Sequence, residues 1–219
     1  MLGDEKSRRF SKHFADQWLE LGRSKQVVTA FPLDRYHREE FLQETHRFFH
    51  EVVRSNGSAL EFVDSDYVMV NQNLAHYYGI KGRFGGTFQR APIAANSKRG
   101  GVLTHASTLL TNSTGTKSHP IKRGVWLAAR ILGSPPPDPP PGVPEIDELD
   151  PKFRRLSLVQ QLKVHRDYAD CRNCHQKIDP WGLPLESFGA DGLFNPNQKS
   201  YVSVLPDKTS VEGNDAPKA

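Results

Sequence analysis

The residues with the clearest chemical potential in this sequence are its two cysteines and the histidine beside them. Cys171 and Cys174 are separated by two residues, and His175 directly follows the second cysteine. Such a pair can be a redox-active dithiol, half of a zinc site, a small disulfide loop or the place where a haem is covalently attached. The rest of the sequence distinguishes between these possibilities.

A zinc site and a redox-active dithiol are both disfavoured by what surrounds the pair. A structural zinc ion needs four protein ligands, so two histidines would have to join the two cysteines. A zinc-finger pattern places these histidines downstream, but no histidine follows His175. A thioredoxin-like dithiol belongs to an alternating α/β fold, whereas the flanking residues here indicate helix, turn and proline. A structural disulfide or an inert reduced pair remains open.

Haem attachment is the interpretation that uses all three residues. Two thiols at this spacing can reach the two vinyl groups on one edge of a porphyrin, and the adjacent imidazole becomes an axial ligand of the iron. The sequence therefore predicts one covalent haem c, bound by Cys171, Cys174 and His175, with His175 as the metal ligand.

The second axial ligand of such a haem is not obvious. No methionine or histidine follows His175. The ligand must then lie upstream, in another segment or in a partner, or the iron is five-coordinate. We expect either five-coordinate or bis-histidine iron, without histidine–methionine ligation. The upstream candidates are His165, His76, His105 and Met69.

Composition describes a globular chain with long loops. The 219 residues are enough to form a core without disulfides, which suggests that the cysteines serve chemistry. With 37% hydrophobic residues, 17 glycines and 16 prolines, we expect helices joined by irregular connections. No window has eighteen consecutive apolar residues, so no membrane span is predicted. The first residues also lack the apolar core of a secretory signal, so the chain is either cytoplasmic or a fragment.

Charge is unevenly distributed along the chain. The formal net charge is only +4, yet residues 67–137 contain nine lysines and arginines and no acidic residue. This segment could receive an anionic partner, such as an acidic protein, a polyanionic glycan or the haem propionates. Solvated side chains without a partner are an equal alternative. Nucleic acid is not expected, because the basic residues are dispersed and match no binding fold.

Hydrophobic periodicity predicts a mainly α fold. One apolar stripe, formed by Phe10, Phe14, Trp18 and Leu21, indicates a helix packed by its aromatic residues. In the next helix, His37, His46 and His50 are expected on the polar side and are poor candidates for ligands. Asp34 and Asn71 are expected to cap helices. The predicted helices lie in 8–22, 35–57, 71–79, 100–110, 120–133 and 156–175.

A proline-rich strip interrupts this helical pattern. Residues 134–144 have the sequence SPPPDPPPGVP, which can form neither a helix nor a central strand because proline fixes φ and lacks a donor. We expect an exposed, semi-rigid connector there. Beyond it, Leu158, Leu162 and His165 share one face of the helix that leads to the cysteines.

Several segments together resemble a known bacterial family. They are the Arg-Gly-Gly at 99–101, the Pro-Ile-Lys-Arg-Gly at 120–124, the proline strip, and Cys-x-x-Cys-His followed by Ile-Asp-Pro-Trp-Gly at 178–182. The chain resembles the planctomycete-type cytochrome-c-domain proteins, which are large exported proteins built of consecutive domains of unknown function. His119 departs from the pattern, which more often has a small residue there, and it is not assigned as a ligand.

The resemblance implies a modular organisation and an exported location. It implies a helical module at 1–95, incomplete at its N-terminus, then a module at 96–198 carrying the connector and the haem-attachment segment, and the truncated start of a C-terminal module at 199–219. A fragment of this kind would lack its export signal and still belong to a periplasmic protein.

The function implied is haem-based electron transfer, or service as the redox module of a larger system, with a redox partner protein. The alternative is a non-enzymatic scaffold or carbohydrate-associated binding module in which the cysteine pair is structural. No spacing of Ser, His and Asp selects a nucleophile and base, so no catalytic residue is assigned and enzyme activity is left open.

Overall fold

The computed structural model describes residues 4–138, 160 and 169–196, together with the backbone of 202–204 and 210–212; for 169–171 it describes only the backbone. About half of the structure is helical, and its sheets are small and two-stranded, which agrees with the prediction of a mainly α chain. The chain forms two compact units, Met1–Ser118 with Gly189–Leu193, and His119–Phe188 with Phe194–Ala219. Within the described ranges, no helix has the length and apolar character needed to cross a membrane.

Two long helices form one side of the first unit. Helix α1 spans Glu5–Trp18, and helix α2 spans Arg35–Arg54. As predicted, Asp34 caps α2: its Oδ1 accepts a hydrogen bond from the backbone N–H of His37 at 2.8 Å. This cap satisfies one of the donors that the first turn of a helix leaves without an intrahelical partner.

The aromatic stripe of α1 is less covered than its spacing predicts. Phe10 is 58% exposed and Phe14 is 45% exposed, although the Phe14 ring stacks on Phe49 with centroids 5.1 Å apart. The fully buried positions of α1 are instead Ser11 and Ala15. Phe14 and Trp18 do pack on the rings of other elements, as expected, whereas Phe10 is left at the edge because the small residues Ser11 and Ala15 lie at the centre of the contact face.

A hairpin-like pair of strands and a short helix complete this side of the unit. Strand β1, Tyr67–Val70, pairs antiparallel with β2, Gln89–Pro92. Between them lies α3, Gln72–Tyr77, and the predicted cap Asn71 accepts from the N–H of Leu74 at 2.9 Å. Hydrophobic periodicity did not predict β1, because its four residues are all buried and show no alternation of apolar and polar side chains.

The core of the first unit lies where α2 and β1 meet α4, which spans Ala106–Thr111. Every residue of α4 is buried. A helix of only six residues is not stable alone, so tertiary packing must stabilise it. The central buried cluster consists of Phe41, Val68, Val70, Leu74, Ala75, Ala91, Ala106 and Leu110.

The second unit is built on two helices in close contact. Helix α5 spans Pro120–Arg130, with proline in its first turn as predicted, and α6 spans Ala169–Gly182. A 3-10 turn at Leu183–Leu185 follows α6, and strands β3 (Val202–Val204) and β4 (Ser210–Glu212) form an antiparallel pair. The helix predicted at 156–175 ends at His175, whereas α6 continues through Pro180 to Gly182.

Some predicted features fall outside the described residues. These are most of the proline strip, at 139–144, and the face formed by Leu158, Leu162 and His165. The part of the strip that is described, 134–138, has no regular structure and is mostly exposed. The module boundaries at 95/96 and 198/199 remain predictions.

Candidate functional site

Helix α6 carries all three residues of the predicted haem-attachment motif. Cys171, Cys174 and His175 occupy positions i, i+3 and i+4 of a continuous helix, which places them on one face. Cys174 is a free, half-buried thiol. The side chain of Cys171 lies outside the described atoms. His175 is buried, with 9% of its surface exposed.

His175 is oriented by a carboxylate one turn further along the same helix. The distance between His175 Nδ1 and Asp179 Oδ1 is 2.9 Å, and Asp179 is only 1% exposed. Because an ionised carboxylate can only accept, Nδ1 carries the proton in this contact. An iron ion would therefore bind at Nε2. Two thiols and an imidazole are the donor set that a c-type haem requires.

The sequence alone assigns no role to Asp179, although this residue belongs to the Ile-Asp-Pro-Trp-Gly segment at 178–182. The signal that could have identified it is its spacing of four residues from His175, which brings the two side chains together only if the helix runs unbroken between them. Because the predicted helix ended at His175, this relation was not recognised.

Close packing against α5 holds α6 in place. A Cβ atom on Gly124 would overlap the backbone and side chain of Ile178, and a Cβ on Gly182 would overlap the carbonyl of Pro120. Both glycines therefore let the two backbones approach each other closely. Ile178, which lies between His175 and Asp179 in the sequence, is part of this contact.

A buried arginine anchors the turn after α6. Arg123, on α5, is 1% exposed and donates from Nη1 to the carbonyl oxygens of Leu185 at 2.6 Å and Phe188 at 2.7 Å. The carboxylate of Glu186 lies 3.8 Å from the same nitrogen and is fully buried. The charge of Arg123 is thus compensated inside the unit, and the segment that follows the site has a defined position.

The candidates for the second axial ligand have different surroundings. His165 lies outside the described residues. His76 is exposed on α3, and Met69 is buried in β1 at 7% exposure. His105 is fully buried, and its Nδ1 lies 2.9 Å from Thr45 Oγ1. Burial lowers the pKa of His105 to about 3, with a further contribution from the positive charge of Arg99.

Histidines of α2 differ from their predicted placement on a polar face. His46 is buried, and its Nε2 lies 2.6 Å from Asp16 Oδ1 on α1. Burial lowers the pKa of His46, opposed by its contact with Asp16. His50 is half-buried, and its Nδ1 lies 3.1 Å from Ser11 Oγ. In the residues that the structure describes, no group of three or more His, Cys, Asp or Glu side chains could hold a metal ion.

A buried carboxyl group lies near the centre of the first unit. Glu44 is fully buried, and its Oε2 accepts a hydrogen bond from the hydroxyl of Tyr78 at 2.7 Å. Burial raises the pKa of Glu44 to about 7, although the charge of Arg99 and the bond from Tyr78 act in the opposite direction. Glu44 Oε1 has no hydrogen-bond partner.

Three arginines of the basic segment are engaged within the chain. Arg90 lies over the Tyr67 ring at 3.8 Å, and Arg99 lies over the Tyr78 ring at 3.7 Å. Arg123 is buried, as described above. The other basic residues of the segment are exposed to solvent: Lys81, Arg83, Lys98, Lys117, Lys122 and Arg130.

Comparison with known families identifies two matches. Residues 99–198 match the model of PSCyt3, described as a protein of unknown function (DUF1588), and residues 1–80 match that of PSD4, described as a protein of unknown function (DUF1592). Both are planctomycete cytochrome-c-type domains of unknown function, which confirms the resemblance at the level of these domains. Neither the curated proteins nor the solved structures contain a match to this chain.

Proposed function

We propose that this chain binds one c-type haem through Cys171, Cys174 and His175 and acts in electron transfer, alone or as the redox module of a larger exported system. The observation that carries the proposal is the arrangement on α6. One continuous helix puts both cysteine positions and the histidine on the same face, and Asp179 fixes the orientation of the imidazole. The matches to cytochrome-c-type domains support it independently.

Each part of the set has a distinct role. The thiols of Cys171 and Cys174 would each add across a vinyl group, so that a carbon–sulfur bond forms and the thiol proton goes to the neighbouring carbon without any oxidant. His175 would bind the iron through Nε2. When bound, the haem supplies a one-electron iron couple. The protein would hold the imidazole of His175 in a fixed orientation and, because His175 is buried, would limit the access of water to the iron ligand.

A redox partner and an exported location are part of the proposal. Electron transfer needs a donor and an acceptor, and the exposed basic residues Lys81, Arg83 and Lys98 of the first unit could attract an acidic partner protein. The family resemblance supports a periplasmic location, because those proteins are exported.

The test is to co-express the full chain with a bacterial cytochrome-c maturation system. We expect a denaturing gel to show haem peroxidase activity at the position of the chain, and mass spectrometry to show the added mass of one haem. The Cys171→Ala and Cys174→Ala variants should each weaken the stain, because each removes one of the two bonds. Cys171→Ala with Cys174→Ala should abolish it. A colourless wild-type band with two free thiols would refute the proposal.

A further inference from the structure

We infer that Asp179 is a positioning residue for the haem iron: it makes His175 a stronger electron donor and so lowers the reduction potential of the bound iron. This inference rests on the proposed function. It concerns a residue that touches the axial ligand and not the iron, and it predicts a property of the site, its potential, that the attachment motif alone does not determine.

The contact has the geometry that such a role requires. The Nδ1–H of His175 donates to Asp179 Oδ1 at 2.9 Å, and both residues belong to α6. Asp179 is 1% exposed and His175 is 9% exposed, so solvent screens the contact very little. A charge-assisted hydrogen bond is stronger in such surroundings than it would be at a wet surface.

The chemical consequence follows from where the second nitrogen of the ring is directed. A histidine that binds a metal commonly donates its other ring N–H to a carboxylate or to a backbone carbonyl, and this bond raises the basicity of the ligand. A carboxylate carries a full negative charge and therefore shifts more electron density onto the imidazole than a neutral carbonyl does. Ferric iron gains more from that density than ferrous iron, so the potential falls.

The backbone around Asp179 keeps the carboxylate in this position. Ile178 and Gly182, on either side of it in sequence, lie against Gly124 and Pro120 of α5, so closely that neither glycine has room for a Cβ atom. Burying a carboxylate is unfavourable unless it has a partner, and His175 supplies one. A purely structural pair would satisfy the same need, so the measurement must report on the iron.

The experiment compares the haem-loaded wild-type chain with the Asp179→Asn variant. Asparagine has nearly the same shape and can still accept from Nδ1–H, but it lacks the charge. We expect the reduction potential, measured by spectroelectrochemistry, to rise in the variant by an amount equal to a tenfold change in the oxidation equilibrium, about 59 mV for one electron. Asp138→Asn is the matched control, because it removes an exposed carboxylate from the same unit and should leave the potential unchanged.

A second measurement does not depend on the variant. After photolysis of bound carbon monoxide, resonance Raman spectroscopy of the ferrous wild-type chain gives the iron–histidine stretching frequency. We expect it to exceed that of a cytochrome whose axial imidazole donates to a peptide carbonyl, and to fall in Asp179→Asn if that variant loads haem. A wild-type frequency no higher than the reference, or an unchanged potential in a loaded Asp179→Asn chain, overturns the inference and leaves the proposed function intact. A wild-type chain that takes up no haem overturns both.

Discussion

At the scale of single residues, Glu44 illustrates how this chain accommodates a buried carboxyl group. One of its oxygens accepts from Tyr78, whereas the other has no hydrogen-bond partner. Arg99 acts on it electrostatically but gives its hydrogen bonds to the carbonyls of Thr104 and Gly192. The group is therefore more easily kept protonated than ionised, which is why its pKa rises to about 7.

Glu44→Gln should make the first unit less sensitive to alkaline pH. The folded-state pKa of about 7 lies above the ordinary value of 4.5, so the native state binds more protons than the unfolded state between these values. The free energy of unfolding then decreases as pH rises through this window. We compare the free energy of unfolding of Glu44→Gln with that of wild type at each pH. We expect this difference to shift in favour of the variant by up to about 3 kcal/mol between pH 5 and pH 8, because each pKa unit corresponds to about 1.4 kcal/mol.

Urea unfolding of the two proteins at pH 5 and pH 8 measures this effect. His105 contributes a pH dependence of opposite sign: its pKa is lowered from 6.5 to about 3, so its contribution to stability is complete above pH 6.5 and is lost as the pH falls toward 3. Comparing the variant with wild type at each pH cancels this contribution. Glu39→Gln is the control, since Glu39 is exposed on the same helix. Equal pH dependence in wild type and Glu44→Gln would show that Glu44 is not neutral in the folded chain.

Residue chemistry was only partly accessible from the sequence. The attachment motif is local, so its composition and spacing were sufficient to propose haem binding on Cys171, Cys174 and His175. The role of Asp179 depends on an unbroken helix through Pro180, which a proline makes difficult to predict. The burial of Glu44 and His105 depends on tertiary packing, and no local pattern distinguishes them from solvated neighbours.

At the scale of secondary structure, the contact between α5 and α6 determines where the candidate site lies. Gly124 faces Ile178 at a separation that has no room for a side chain. In most helices, alanine is favoured over glycine by about 1 kcal/mol. Here the steric conflict should reverse that preference.

We predict that Gly124→Ala destabilises the second unit by about 1–3 kcal/mol, the usual cost of overpacking. Urea denaturation of the haem-free chain, followed by tryptophan fluorescence, would measure this change, because Trp126 is buried on α5 of the second unit and Trp18 lies on α1 of the first. Gly22→Ala is the matched control, because nothing lies within 4 Å of a Cβ atom at that position. Its free energy of unfolding should stay within about 0.5 kcal/mol of wild type. A stabilising Gly124→Ala would contradict the close approach of the two helices.

The elements predicted best are those marked by local chemistry. Asp34 and Asn71 cap the helices that they were expected to cap, and Pro120 begins α5. Strand β1 was missed because burial on both faces removes the alternation that identifies a strand. The exposed fraction of the α1 aromatic rings could not be predicted, because spacing does not show whether Phe14 or its neighbour Ala15 lies at the centre of the contact with α2 and which lies at its edge.

At the scale of the whole molecule, the proline strip and its acidic continuation run within the sequence of the second unit, between α5 and α6. Proline-rich sequence predicts an exposed connector, and exposed connectors are preferred sites of proteolysis. We expect a glutamate-specific protease under native conditions to cut first at Glu145 or Glu148.

The two fragments should remain associated after this cleavage, because α5 and α6 pack against each other through Gly124 and Gly182. Size-exclusion chromatography should give one peak, and a denaturing gel of that peak should show two bands. In haem-loaded material, only the smaller, C-terminal band should stain for peroxidase activity. Separation of the fragments on the column, or resistance of the strip to cleavage, would contradict this view of the second unit.

The burial of His175 has a consequence for how the protein is made. In the folded unit its imidazole is 9% exposed, and Ile178 and Gly182, which share its face of α6, are packed against α5. Under the proposed function, a maturation enzyme must present haem to Cys171, Cys174 and His175 while this segment is still extended and accessible. Haem loading and folding are then competitors in time. A chain that folded faster would emerge with more of its copies permanently empty, so slow closure of the second unit is an advantage during biogenesis.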